Sequence, residues 1–319
     1  MLNDFRTYIR SARPIMQFFL LIAVTLFSAG LLGALGLLAC ETFYGADWEV
    51  IQSYLNDPMM PGAVGVLKVL QLFNTLGIFL IPAMIFSQLL SPQPETFLRL
   101  NRTFSWAIAA AIVVLFIAFT PITDLLAWLN DSIHLPSFLS GFETEMRQSS
   151  DDMQSLMGTF LSMENFGQFL FNIFLMAVLP ALGEEFFFRG VIQRLLISRT
   201  GLVHLSVWVT AFAFAIMHQQ FFGIIPLVIL GALLGYLKEW TGSLWASILA
   251  HFVNNASIIV VMYFANYNMS DMESLSTPNW MYVIPAILVC GGLIFYLYKN
   301  RVAALSNDDD FGEELKVES

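Results

Sequence analysis

Residues 182–189 read LGEEFFFR, which places two carboxylates and an arginine inside a long run of apolar residues. An ionisable side chain in the hydrocarbon region of a membrane costs at least about 2.5 kcal/mol, so such residues pair with one another or serve a function. Glu185 and Arg189 are four residues apart and share a helix face, whereas Glu184 points about 100° away. The spacing therefore predicts a Glu185–Arg189 ion pair with Glu184 left free. The alternative is a cytoplasmic helix end at which all three side chains are solvated.

The composition is that of a polytopic membrane protein. Of the 319 residues, 57% are hydrophobic and 12% are charged, and the mean hydropathy of +0.71 exceeds that of soluble domains. The net charge of −10 comes largely from an acidic C-terminal segment, which has the composition of a solvated tail. The basic residues are scattered among the loops, so nothing predicts nucleic-acid binding. Cys40 and Cys290 lie at or within apolar segments, which argues against a disulfide framework and a cysteine metal site.

The apolar segments predict an all-α fold, a polytopic membrane helical bundle with about eight transmembrane helices. The predicted spans are residues 15–39, 66–90, 104–126, a span that begins at 166, 202–218, 224–237, 244–265 and 280–298. We divide the chain into N-terminal membrane helices with a long non-cytoplasmic loop, a core that contains residues 182–189, a last transmembrane helix and an acidic disordered cytoplasmic tail. These parts are residues 1–165, 166–265, 266–301 and 302–319. The loop at 130–165 is expected to include an amphipathic helix that lies on the membrane.

The distribution of basic residues predicts the orientation of the bundle. With eight spans, alternate loops lie on alternate sides, and of the bases only Lys68 and Arg147 do not fall on the side of the N-terminus. By the positive-inside rule, both termini are then cytoplasmic. The loop at Gly201 is expected to be cytoplasmic too, whereas the loops near Gly62 and Glu273 are expected outside. The expected location is the plasma (inner) membrane of a bacterium.

Two of the four histidines, His218 and His251, fall within or at the ends of apolar segments. If the helices on either side of Gly201 form a hairpin, Glu184 and His218 lie at one depth, because each is 17 residues from that glycine. With the cytoplasmic boundary near residue 194, a rise of 1.5 Å per residue puts Glu184 about 15 Å inside. His251 follows the next cytoplasmic turn, at Gly242, and lies about 13 Å deep by the same rise. The three side chains should therefore meet.

Asn255 follows His251 by four residues and shares its helix face. A carboxylate, two imidazoles and an amide that converge in a cavity open to the cytoplasm can polarise water and stabilise an oxyanion. These are the groups that peptide hydrolysis needs. The residues after His218 would then turn inside the membrane, which is permitted only where the backbone is buried in protein or lines water.

Three short motifs resemble those of the CPBP family of intramembrane proteases, which includes the type II CAAX prenyl endopeptidases and the Abi proteins linked to bacteriocin maturation and self-immunity. EExxxR is found at residues 184–189, FxxxH at 214–218 and HxxxN at 251–255. The motifs stand in family order on successive predicted membrane helices, and the resemblance covers about residues 166–265. It implies an intramembrane endopeptidase for a membrane-associated protein or peptide, either in CAAX-type C-terminal processing or in bacteriocin-type maturation or immunity.

The resemblance also implies a role for each motif residue. Glu184 would act as general base on a water molecule that His218 also holds. His251 and Asn255 would stabilise the oxyanion, and the ion pair predicted above would support the site. The expected partners are the membrane-associated substrate and the lipid bilayer, without nucleic acid.

A cofactor is not favoured, although the family is often labelled as metalloproteases. A catalytic zinc ion takes three protein ligands and a water molecule, and Glu184, His218 and His251 could supply the three. That arrangement would use the one free carboxylate as a ligand, whereas familiar zinc proteases keep a separate glutamate as the base. A metal-free glutamate mechanism gives each residue one role, and zinc is kept as the alternative.

Two further functions stay open on the sequence alone. Intramembrane Glu and His residues also mark the ion pathways of transporters and proton relays, although here they cluster near one side and no inverted repeat is evident. The other is a non-catalytic membrane scaffold that keeps the motifs for structure. The sequence has no HExxH, GxSxG or phosphate-binding glycine loop, which argues against a site-2-type metalloprotease, a rhomboid protease and an ATP-driven pump.

Overall fold

The structure is a computed structural model that describes residues 2–220, 223–265 and 278–302, and no strand occurs among these residues. Seven helices in the described part of the chain are long and apolar enough to cross a membrane. The chain is therefore an all-α, polytopic integral membrane protein, as the sequence predicts. The predicted loop at 266–277 and the acidic tail at 303–319 lie outside the described residues.

The helices are named here in chain order. They are α1 (Leu2–Ser11), α2 (Pro14–Tyr44), α3 (Trp48–Asn56), α4 (Ala63–Leu90), α5 (Trp106–Asp131), α6 (Ser140–Leu161), α7 (Phe166–Thr200), α8 (Val203–Met217), α9 (Ile224–Thr241), α10 (Leu244–Ala265) and α11 (Trp280–Lys299). The helices of spanning length are α2, α4, α5, α7, α9, α10 and α11. Their ends differ from the predicted ends by only a few residues, because apolar composition alone marks a membrane span.

Helix α8 agrees within one residue at each end with the segment predicted at 202–218, and it is short for a transmembrane span. It has 15 residues and a length of about 22 Å, which is less than the ~30 Å of a bilayer core. It packs closely on α9, where Gly231 allows the approach because it has no side chain. A Cβ atom at that position would lie only 3.1 Å from the Cα of Ala211 on α8. His218 comes directly after the last residue of α8, so the early end of this helix leaves the imidazole inside the bundle.

Two glycines in the left-handed conformation end α7 and α9. Gly201 has a φ of 67° and Gly242 a φ of 69°, which L side chains rarely adopt. Each glycine is followed within two residues by the next helix, so α7 and α8, and likewise α9 and α10, form the hairpins that the sequence predicts. A hydrogen bond of 2.8 Å from the Ser247 hydroxyl to the Leu234 carbonyl joins α9 to α10.

Helix α7 contains two π-helical segments, Ile173–Val178 and Glu185–Gln193. Such segments are rare and are frequent at functional sites, where the wider turn changes the direction of the side chains. Between them, Gly183 allows α4 to approach, since a Cβ atom there would lie 3.3 Å from the Cβ of Phe79. The second segment carries most of the EExxxR motif.

The predicted helix of the 130–165 loop is present as α6. Its residue Phe160 packs against Ala63 and Leu67 of α4. The Phe160 carbonyl also accepts a hydrogen bond of 2.9 Å from the Asn172 amide of α7. Helix α6 therefore covers the first turns of α4 and α7.

Glu143 fixes the beginning of α6. Its carboxylate accepts hydrogen bonds from the His134 ring, the Leu135 backbone N–H and the Arg147 guanidinium. These bonds, first that of His134, lower the pKa of Glu143 from 4.5 to about 2. Because the pKa is lowered on folding, this stabilisation is present above pH 4.5 and is lost as the pH falls toward about 2.

Candidate active site

The structure brings together the free carboxylate and the two membrane histidines. Glu184 lies on α7, His218 follows α8 and His251 lies on α10. The Nε2 atom of His218 is 3.8 Å from Oε2 of Glu184, and Nε2 of His251 is 4.0 Å from the same oxygen. The convergence predicted from equal distances to the glycine turns is therefore present.

Exposure falls steadily across the site. The side chain of His218 is 30% exposed, that of Glu184 12% and that of His251 3%, while Glu185 and Arg189 are fully buried. The Oε2 atom of Glu184 is buried and makes no hydrogen bond to any residue that the structure describes.

The ion pair predicted from the i,i+4 spacing is present. Oε1 of Glu185 lies 2.7 Å from Nη1 of Arg189 and also 2.8 Å from Nδ1 of His251. The Nη2 atom of Arg189 donates to the Gly231 carbonyl of α9 at 2.8 Å. A solvated helix end is excluded, since neither member of the pair is exposed.

Hydrogen bonds fix the orientation of both imidazoles. Nδ1 of His218 lies 2.9 Å from the Phe214 carbonyl, which can only accept, so this nitrogen carries the proton. In the neutral ring its Nε2 is then an acceptor. Nδ1 of His251 donates in the same way to the Glu185 carboxylate. Both rings therefore direct Nε2 toward Glu184.

Phe214 explains the aromatic position of the FxxxH motif. Its ring centroid is 4.5 Å from that of His218 and 5.9 Å from that of His251. The guanidinium carbon of Arg189 lies 4.6 Å from the same centroid, within range of a cation–π interaction. One buried ring thus packs against three members of the site.

Asn255 does not hydrogen-bond to the other predicted site residues. Its Nδ2 donates to the Met176 carbonyl of α7 at 3.3 Å, and its Oδ1 accepts from the Asn254 amide at 3.1 Å. The side chain therefore ties α10 to the first π-helical segment of α7. One of its two N–H groups serves this contact, which leaves the second for another acceptor.

The spacing of the site does not match zinc. Among the described residues, no group of three or more His, Cys, Asp or Glu side chains is arranged to hold a metal ion. Tetrahedral zinc with bonds of about 2.0–2.1 Å requires ligand atoms about 3.4 Å apart. The two Nε2 atoms lie 3.8 and 4.0 Å from the Glu184 oxygen, so the donor types suit zinc but their separation does not.

The sequence did not indicate a second cluster of buried polar residues beside the site. Its members lie on α7, on α9 and before α5, and they are Arg99, Gln193, Lys238 and Glu239. Two signals were available in the sequence. Lys238 and Glu239 are consecutive charges near the end of an apolar helix, and Gln193 follows Arg189 by four residues.

An apolar cavity of about 860 Å³ lies between the start of α5 and the helices α7 and α10, and none of the predicted site residues lines it. Leu182, which precedes Glu184 by two residues, lines it from α7. Ile248 and Phe252, on either side of His251 in the sequence, line it from α10. The cavity therefore adjoins both helices that carry the site.

Residues 166–257 match the family model described as "Rce1-like: Type II CAAX prenyl endopeptidase Rce1-like". This segment is Rce1-like. The family resemblance indicated by the three motifs is thereby confirmed. "Uncharacterized protein YpbD" of Bacillus subtilis (strain 168) is 32% identical over 89 residues, which are 27% of this chain. The matched region spans 42% of that relative's length, and no solved structure matches the chain significantly.

Proposed function

We propose that this chain is an intramembrane endopeptidase in which Glu184 activates water to hydrolyse a peptide bond of a membrane-associated protein or peptide. The observation that carries the proposal is the buried, unpartnered Oε2 of Glu184 with two imidazole Nε2 atoms at 3.8 and 4.0 Å. It lies inside the Rce1-like segment, whose family is named for endopeptidases.

The first step uses Glu184 and His218. A water molecule donates one O–H to Oε2 of Glu184 and the other to the acceptor Nε2 of His218. Two hydrogen bonds of about 2.8 Å can bridge atoms that are 3.8 Å apart. The lone pairs of the water oxygen then face away from both residues and toward a substrate carbonyl. Glu184 takes the proton as the oxygen attacks, and later returns it to the leaving amine.

The developing oxyanion is stabilised by His251 and Asn255. His251 can donate from Nε2 only if both ring nitrogens carry protons. A positive His251 and Arg189 then balance the two carboxylates of Glu184 and Glu185, which leaves the buried cluster neutral. The second amide N–H of Asn255 would donate to the same oxyanion. This preorganised charge supplies the electrostatic part of catalysis.

The substrate is proposed to lie with its apolar part in the cavity lined by Leu182, Ile248 and Phe252. The family name favours CAAX-type C-terminal processing, and bacteriocin-type maturation or immunity is the alternative. The test is proteomics of membranes from cells with the wild type and with Glu184→Gln. New protein C-termini that depend on Glu184 would support processing, whereas identical sets of termini would contradict the proposal.

We propose that both termini are cytoplasmic and that the protein lies in the plasma (inner) membrane of a bacterium. Single cysteines at the exposed positions Leu202 and Met60, in a chain with Cys40→Ala and Cys290→Ala, test this orientation. A membrane-impermeant maleimide should label Met60→Cys in intact cells and Leu202→Cys only after lysis. Labelling of Leu202→Cys in intact cells would place the α7–α8 hairpin outside and contradict a cytoplasmic opening of the site.

Hydrolysis is proposed to proceed without a metal ion. Purified active protein should contain far less than one equivalent of zinc, and a chelator should leave its activity unchanged. Zinc content is measured by mass spectrometry on the same preparation that is assayed for cleavage. Stoichiometric zinc whose removal abolishes activity, and whose return restores it, would replace the glutamate mechanism with a zinc site of Glu184, His218 and His251.

A further inference from the structure

Helix α9 holds α7 through two matched hydrogen bonds. Arg189 donates from Nη2 to the Gly231 carbonyl at 2.8 Å, and Gln193 donates from Nε2 to the Gly235 carbonyl at 3.2 Å. The two donors are four residues apart on α7, and the two acceptors are four residues apart on α9. The second bond therefore repeats the first about one helical turn further along both helices. A Cβ atom on Gly235 would lie 2.6 Å from Oε1 of Gln193. Gly231 and Gly235, which have no side chains, thus expose their carbonyl groups to α7 and also allow close packing.

Lys238 holds the backbone of the same arginine. Its Nζ donates to the Arg189 carbonyl at 2.9 Å and lies 3.2 Å from Oε1 of Glu239, with only 1% of the side chain exposed. Helix α9 therefore makes two hydrogen bonds to Arg189. The Gly231 carbonyl accepts from the guanidinium, and the Lys238 ammonium donates to the main-chain carbonyl. Both contacts fall in the π-helical segment Glu185–Gln193.

Glu239 connects this contact to two further buried groups. Its Oε1 accepts from Nε2 of Gln193 at 2.8 Å, and its Oε2 accepts from Nη1 of Arg99 at 3.0 Å. Arg99 has a φ of 59°, which is uncommon for a residue with a side chain, and its carbonyl accepts from the Leu244 N–H at the start of α10. The cluster thus fixes α7, α9 and α10 relative to one another.

A contribution to folding stability alone does not explain why Arg99, Lys238 and Glu239 are buried as charged residues. Replacing a buried ion pair by apolar residues of similar volume is often neutral or stabilising, so such a pair adds little to the free energy of folding. Lys238 instead constrains geometry, because its ammonium donates a hydrogen bond to the Arg189 carbonyl. Errors of about 1 Å in catalytic geometry can cost a factor of about 100 in rate.

We infer that Lys238 is a positioning residue for the proposed hydrolysis. It holds the Arg189 backbone, Arg189 holds the Glu185 carboxylate, and that carboxylate orients His251 toward Glu184. The Glu239 carboxylate, which accepts a hydrogen bond from Gln193, lies against the Lys238 ammonium. The inference rests on the proposed function, and its test therefore includes one measurement that does not depend on cleavage.

The test compares Lys238→Met with Lys68→Met. Methionine keeps most of the length of lysine but removes the ammonium. Lys68 is a matched control, because it is a buried lysine on α4 that contacts Asn172, near the opposite end of α7, at 2.7 Å. The measurements are kcat and KM for a fluorogenic prenylated CAAX peptide in detergent, the thermal midpoint, and hydrogen–deuterium exchange of residues 185–193.

For Lys238→Met, we expect kcat to fall about 10- to 100-fold with KM within about twofold, and exchange of residues 185–193 to rise. Lys68→Met should keep the wild-type kcat even where its thermal midpoint falls. If Lys238→Met does not accumulate, Gln193→Met replaces it, because that variant breaks the neighbouring contacts without removing a charge. A smaller fall in kcat in the same direction is then expected.

Wild-type kcat and wild-type exchange in a folded Lys238→Met protein would overturn the inference. An equal loss of kcat in Lys68→Met would do the same, because the effect would then be general destabilisation. If the wild type itself cleaves neither the peptide nor any membrane protein, the proposed function fails. The exchange of residues 185–193 still decides whether Lys238 positions Arg189.

Discussion

Glu184→Gln is expected to lower peptide hydrolysis at least about 100-fold while the protein still folds, since general-base catalysis typically contributes a factor of 10²–10⁴. The amide has the shape of the carboxylate but cannot accept a proton from water. Because Oε2 of Glu184 has no hydrogen-bond partner among the described residues, the substitution breaks no contact there. Turnover of an identified substrate and the thermal midpoint in detergent are measured on the same preparation.

Two companion variants sharpen this result. Glu95→Gln removes an exposed carboxylate far from α7 in the sequence and should leave turnover unchanged. Glu184→Asp keeps the carboxylate but withdraws it by about one C–C bond from the two imidazoles, so an intermediate rate is expected. Wild-type turnover in Glu184→Gln would mean that this carboxylate is not the base, and the assignment as a glutamate protease would fail.

The local geometry of the site could be predicted because it depends on short, regular spacings. The i,i+4 relation of Glu185 and Arg189 needs only a helix, and the π-helical turn of the structure does not separate them. The meeting of Glu184 with His218 follows from equal chain lengths on either side of Gly201, which the left-handed glycine makes into a hairpin. Spacing along a helix is a property of the sequence.

Contacts between helices distant in the sequence could not be predicted. The bond from Lys238 to the Arg189 carbonyl depends on how α9 lies against α7, and no spacing within one helix contains that information. The same holds for Asn255, whose amide reaches the Met176 carbonyl of α7. The end of α8 at His218, by contrast, agrees with the predicted segment 202–218 and with the turn predicted after His218. Packing decides the contacts between helices.

Removing one member of the Glu185–Arg189 pair is expected to cost both stability and activity. Arg189→Met leaves the fully buried carboxylate of Glu185 without its guanidinium, and Glu185→Gln leaves the guanidinium without its carboxylate. Breaking a buried pair in this way typically costs about 3–5 kcal/mol, because the remaining charge cannot reach water. Each single variant should therefore unfold at a clearly lower temperature in detergent and show little hydrolysis.

The double variant Glu185→Gln/Arg189→Met separates the two effects. With both charges removed, no uncompensated ion remains at this position, so the thermal midpoint should recover most of the loss seen in the single variants. Hydrolysis should stay low, because His251 has lost the carboxylate that holds its Nδ1 proton and offsets its charge. Midpoint and turnover are measured for all four members of the cycle. Recovery of turnover together with stability would show that the pair only holds the fold, and that His251 needs no carboxylate beside it.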